Sequence, residues 1–149
     1  TAAALISAAL ITGGCGSTTQ KPRSTTTARA SASSTGPSVT GYINAVTKIH
    51  APVANARSRF FHSPRSKQLA QARSLRLAYD SAARQLKGLR APRAGVTPAR
   101  ALLAAWRKGA ADLATVVSRR PFDPGNAWTV AVKTEQSSEQ AFGSVLTIP

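Results

Sequence analysis

The sequence predicts an all-α protein, with an up-down antiparallel four-helix bundle over residues 38–149. Three observations carry that expectation. Ala has the highest intrinsic helix propensity and Arg is close behind; the chain is rich in both, and aromatic residues are only 5% of it. Ser63-Pro64, Thr97-Pro98 and Asp123-Pro124 each join an N-cap residue to a proline expected at the first helical position. There the cap oxygen accepts an orphan N–H, and the missing proline N–H costs nothing. After each of these dipeptides, apolar residues recur at three- and four-residue steps, as a helix burying one face requires.

The first helix is expected to start at Gly36-Pro37-Ser38, with Val39, Tyr42, Val46, Ile49, Val53, Ala56 and Phe60 as its buried stripe. Pro52 lies inside it and is expected to kink or divide it near Ala51, because proline removes one helical hydrogen bond. Leu69, Ala72, Leu75, Tyr79, Ala82, Leu86 and Leu89 form the second stripe, which Gly88 brings to a stop. The third carries Leu102, Leu103, Trp106, Ala110, Leu113, Val116 and Val117, ending at Arg119-Arg120-Pro121. The fourth is the least regular, with Ala127, Val130, Ala131, Ala141, Phe142, Val145 and Leu146. Helices of about 20 residues joined by short loops pack antiparallel. The second and third share a start, a length and a mid-helix aromatic (Tyr79, Trp106), which reflects common bundle construction and not a repeat.

Ahead of the helices the composition changes. Gly16 to Pro37 is Ser, Thr, Ala and Gly with Lys21, Arg23 and Arg29, and it has no periodic apolar positions. It reads as a flexible tether, with an r.m.s. reach near ~25 Å. Its charges suit an anionic leaflet, at about 1 kcal/mol each when near the surface. Ala2 to Ile11 is an apolar run, too short for a bilayer span of roughly 20 residues but suited to the hydrophobic region of a signal peptide. The chain opens on Thr1 and contains no methionine, so a basic segment is expected ahead of Thr1.

That run leads into Thr12-Gly13-Gly14-Cys15-Gly16-Ser17, which resembles the lipobox of bacterial lipoproteins. Small residues precede the cysteine as the family pattern asks. Thr12 stands where the family usually has Leu, Val or Ile, with Ile11 one place further back. The resemblance covers about fifteen residues. It implies cleavage between Gly14 and Cys15 and a diacylglycerol thioether on Cys15, the chain's one cysteine. A single cysteine excludes an intramolecular disulfide framework, and a free thiol behind an ordinary secretory peptide is the alternative reading. At about 0.8 kcal/mol per buried CH₂, two or three acyl chains anchor stably. The expected organisation is a signal peptide at 1–14, a lipidated linker at 15–37 and a bundle at 38–149. The layout is similar to small Ala/Arg-rich lipoproteins of unknown function.

The net charge of +15 favours anionic partners and salt-sensitive binding. Arg57, Arg59, Arg65 and Lys67 surround the first inter-helix turn, and Arg119 and Arg120 the third. In an up-down bundle these six share one pole, a candidate anion-binding surface for lipid headgroups or cell-wall polymer. Lys87, Arg90, Arg93 and Arg100 crown the other. The plainer reading is that the arginines solvate an Ala-rich bundle. Export removes the usual nucleic-acid target and no nucleic-acid motif is present, so none is expected as partner.

His50 and His62 are the only histidines, and neither has a carboxylate three or four residues on. Di-iron and zinc motifs are missing, so no metal is expected and both histidines read as surface or boundary residues. Glu135 and Glu139 share a helical face that reads as solvated, with a cation site or acid/base pair as the sharper alternative. Gly143-Ser144 lacks a nucleophile elbow and no phosphate-binding loop occurs, so neither an enzyme nor a cofactor is expected. Trp106 and Trp128 read as core anchors, with an apolar ligand cavity as the alternative. The functional expectation is a lipid-anchored extracytoplasmic bundle with a noncatalytic binding or envelope-interaction role, facing outward from the cell membrane. A small-molecule or lipid-binding module with an inter-helix cavity is a second class. Adhesion of basic helix ends to a polyanion or membrane surface is a third.

Overall fold

The computed structural model describes residues 37–149, so the expected signal segment, Gly14, Cys15 and the linker up to Gly36 lie outside the described residues. Four long helices follow one another: α1 (Val39–Phe61), α2 (Arg65–Gly88), α3 (Val96–Ser118) and α4 (Pro124–Leu146). Each packs against the next in sequence, giving the all-α bundle that the periodicity predicts.

The helix starts follow the expected chemistry at two of four places. Ser38 caps α1 by accepting the Gly41 N–H at 3.1 Å. Asp123 caps α4 with Oδ1 accepting the N–H groups of Gly125 (2.8 Å) and Asn126 (3.3 Å), and Pro124 sits in the first turn. Ser63 does not cap α2. Its hydroxyl donates to the Phe60 carbonyl at 2.9 Å, finishing α1, and Pro64 takes the extended cap position. Thr97 does not cap α3 either. A 3₁₀ turn at Arg93–Gly95 runs directly into Val96, and Pro98 lies within the first turn, where N–H groups have no helical acceptor in any case.

Pro52 does not divide the first helix: α1 is continuous from Val39 to Phe61. Pro52 and Lys48 are both exposed, so the carbonyl that loses its helical donor lies on the solvent side, where water can satisfy it.

The core is the set of stripes brought together. Tyr42, Val46, Val53 and Phe60 of α1 meet Ala72, Leu75, Tyr79 and Leu86 of α2, Leu102, Trp106 and Leu113 of α3, and Ala127, Ala131 and Val145 of α4. The stripe of α4 runs without a gap through Ala127, Ala131, Thr134, Ser138, Ala141 and Val145. Thr134 and Ser138 are buried because each hydroxyl donates within its own helix, to Val130 (2.8 Å) and Glu135 (3.2 Å) carbonyls. Leu146, expected inside, is exposed, while Val130 and Phe142 are half-buried. At the far end Ile148 folds back into the core beside Gly95, whose missing Cβ leaves it room.

The helices are not equally close. The backbones of α3 and α4 approach along much of their length, as do those of α2 and α3. Those of α1 and α4 approach no more than the diagonal pair α2 and α4. The α1/α4 seam is bridged by side chains.

Candidate functional site

The polar side chains that cross this seam form one network. On α1, His50 and Arg57 are seven residues apart and share a face; on α4, Glu135 and Glu139 are four apart and share another. Arg57 donates from Nη1 to Glu139 Oε1 at 2.6 Å, and its Nε stands 3.1 Å from Glu135 Oε1. His50 Nε2 lies 3.1 Å from the same Glu139 oxygen. An ionised carboxylate only accepts, so His50 carries its proton on Nε2 there. The imidazole stacks on Phe142 with ring centres 4.0 Å apart, and the Trp106 ring lies 6.2 Å away.

Burial pulls the His50 pKa below its ordinary value; Glu139 opposes this, but desolvation prevails. Burial pushes Glu139 upward, yet the hydrogen bonds and charges of Arg57 and His50 together bring it below the usual carboxylate value. Tyr79, fully buried nearby, is pushed well up by burial. Its hydroxyl and the Trp106 indole N–H have no partner among the described residues.

Here the structure departs from the sequence reading. Glu135 and Glu139 share a face that stays partly solvated, each side chain more than a third exposed, and both bind Arg57. His50 does have a carboxylate partner, supplied by α4 from 89 residues away and therefore invisible to a search at i+3 or i+4. The pattern that could have revealed it is a His/Arg pair on the first helix facing a Glu/Glu pair on the fourth, its spatial neighbour in an up-down bundle. His62 is exposed, and its Nδ1 lies 2.8 Å from the Ser58 carbonyl. No group of three potential metal ligands occurs among the described residues.

As chemistry the network is a clasp. Two carboxylates face one guanidinium and one imidazole, and the buried α4 hydroxyls beside them in sequence, Thr134 and Ser138, each donate to a backbone carbonyl. A cleft of about 400 Å³ opens elsewhere, between α3 and α4, lined by Ala105, Lys108, Asp112, Val130, Lys133 and Ser137 among others. Lys108 and Asp112 pair across its edge at 2.7 Å. Neither tryptophan lines it. Trp106 is fully buried as a core anchor, as expected. Trp128, read as the other anchor, instead lies 42% exposed at the start of α4, edge-on to Phe61 with ring centres 4.7 Å apart.

The six basic residues assigned to one pole are brought to that end, but they divide. Arg57 is nearly buried, its side chain 13% exposed, and bound by the two glutamates. Arg59, Arg65, Lys67, Arg119 and Arg120 are exposed and form no ion pair among the described residues. Lys87, Arg90, Arg93 and Arg100 are exposed at the opposite end. No family model, curated protein or solved structure matches the chain.

Proposed function

We propose that the chain is a lipid-anchored extracytoplasmic protein whose helical bundle has a noncatalytic binding role at the cell envelope. The observation that carries this reading is the order of parts at the amino terminus. An apolar run at Ala2 to Ile11 leads through Gly13 and Gly14 to Cys15, the one thiol of the chain, and then to a polar linker. A thioether-linked lipid requires a thiol, and this is the place where the lipobox pattern puts it. No helix among the described residues is long and apolar enough to cross a membrane. The noncatalytic part is supported by the occupation of the polar groups: His50, Glu135 and Glu139 are tied to one another through Arg57, away from the α3/α4 cleft.

The test is mass spectrometry of the protein recovered from the membrane fraction of cells expressing it. The reading expects a mature chain that begins at Cys15 and carries the mass of a diacylglyceryl group. A chain beginning at an unmodified Cys15, or one that retains residues 1–14, would sink it.

A further inference from the structure

All five acidic residues of the chain lie in the bundle, and each is already engaged there. Asp80 holds Arg84 and Asp112 holds Lys108, each one helical turn away. Glu135 and Glu139 hold Arg57, and Asp123 caps α4. Asp123 is exposed in the α3/α4 turn and keeps its charge while it caps α4. At the end formed by the α1/α2 and α3/α4 turns that one charge is outnumbered by five exposed cations: Arg59, Arg65, Lys67, Arg119 and Arg120.

The same end carries the exposed aromatic surface. Trp128 projects from the first turns of α4 against Phe61, the last residue of α1, and Phe122 sits half-buried in the preceding loop. The opposite pole has four exposed cations but no tryptophan. A partly exposed tryptophan at an end of the bundle rich in exposed arginine and lysine matches the depth profile of a bilayer surface. Phosphates lie outermost, and the zone where indole rings partition lies just beneath. A soluble inorganic polyanion would engage the cations but offer nothing apolar to the indole.

We propose that this pole, through Trp128 and Phe61 together with the exposed cations Arg59, Arg65, Lys67, Arg119 and Arg120, docks the bundle onto an anionic phospholipid surface. The proposal rests on the membrane-side placement above and names the partner of the bundle there. Reach is sufficient. The pole lies one α1 length, roughly 35 Å, from Ser38. The chain from Cys15 to Pro37 can extend to about 75 Å, so an anchor at Cys15 and contact at this pole are compatible.

The experiment uses the full chain with Cys15→Ser, which removes the lipid and so separates this proposal from the anchor. Vesicles of phosphatidylcholine containing one-third phosphatidylglycerol are compared with phosphatidylcholine alone by co-sedimentation. Brominated lipids report indole depth by quenching Trp128, while Trp106 stays shielded in the core. Binding to the anionic vesicles is expected, weakening as salt rises, with Trp128 quenched. A fourfold neutralisation, R65Q/K67Q/R119Q/R120Q, is expected to lower partitioning by at least a hundredfold, from roughly fivefold per cation. The matched variant K87Q/R90Q/R93Q/R100Q removes the same charge from the other pole and is expected to change it less than fivefold. Trp128→Ala, its fold checked by circular dichroism, is expected to lose about tenfold. Equal losses from both fourfold variants would overturn the proposal in favour of diffuse charge. Unquenched Trp128 would overturn it as well, as would binding to soluble polyphosphate that matches the vesicles and ignores Trp128→Ala.

Discussion

Against α3, helix α4 presents a stripe of small residues, and Gly109 of α3 lets Thr134 of α4 come into backbone range. Against α1, the same helix presents Glu135, Glu139, Phe142 and Trp128, and long side chains span a gap that the backbones do not close. One interface is made by removing atoms and the other by adding reach. Close-packed interiors punish added volume, whereas a bridged seam is hurt by truncation. The two faces of α4 should therefore respond in opposite ways to the same kind of change.

The largest effect is expected at the close face. A Cβ at Gly109 would collide with Thr134 Cγ2 and lie 2.8 Å from its Oγ1. Turning Thr134 about χ1 would give up its hydroxyl bond to the Val130 carbonyl and still leave its Cβ 3.1 Å from the added atom. Gly109→Ala gains about 1 kcal/mol of helix propensity, but the overpacking should outweigh this and leave a net loss of about 2 kcal/mol. Urea unfolding reads it, and Gly109→Ala/Thr134→Ala should recover more than half of the loss. An unchanged or higher midpoint for Gly109→Ala alone would mean that α3 and α4 are not this close.

The contrast also explains which parts of the molecule were legible in the sequence. Helix number and order could be read, because Val46, Val53, Leu75 and Leu113 repeat at helical spacing, whereas the cap-proline signal held at Asp123 but not at Ser63 or Thr97, and Pro52 does not divide α1. The close face was harder, because its buried residues are Gly109, Thr134 and Ser138. A glycine carries no apolar signal, and a hydroxyl reads as polar until its bond to the preceding turn is seen. That is why α4 looked the least regular of the four. The bridged seam was illegible for another reason: His50, Arg57, Glu135 and Glu139 are unremarkable within their own helices, and their meaning comes from the register of α1 against α4. Trp128 was misplaced because its helix position matches the core stripe only roughly, and the wide seam leaves its outer edge uncovered. At the basic pole the sequence placed the cations correctly, but it could not separate Arg57 from the other five.

At the bridged face, Arg57→Ala should cost roughly 1–2 kcal/mol, because Arg57 is nearly buried while both carboxylates remain more than a third exposed and water can partly replace it. The cost should fall when Glu139→Gln is already present, and a double-mutant cycle in urea measures that coupling. The same cycle between Gly109→Ala and Arg57→Ala should be additive to within about 0.5 kcal/mol, since they act on opposite faces of α4. A large coupling between them would show that the two faces shift as one body.

The smallest effect expected is the pH dependence of the bridged seam, and its sign discriminates between the two forces acting on His50. The groups facing the imidazole are Glu139, Arg57, Phe142 and Trp106, and burial outweighs the carboxylate, so the folded state binds a proton less readily than the unfolded chain. The stability that His50 contributes is then complete above histidine's ordinary 6.5 and is lost as the pH falls from there through the depressed folded value. Glu139 acts in the same direction at lower pH. Its contribution is present above the ordinary 4.5 and disappears as the pH falls through the depressed folded value. Urea midpoints taken between pH 8 and pH 3 should therefore fall in two stages. His50→Gln should remove the upper stage while His62→Gln leaves it in place. A midpoint that rises between pH 7 and pH 5.5 would mean that the Glu139 charge outweighs burial. The seam would then be an ion-paired hinge that tightens on acidification, and not a packed bridge that loosens.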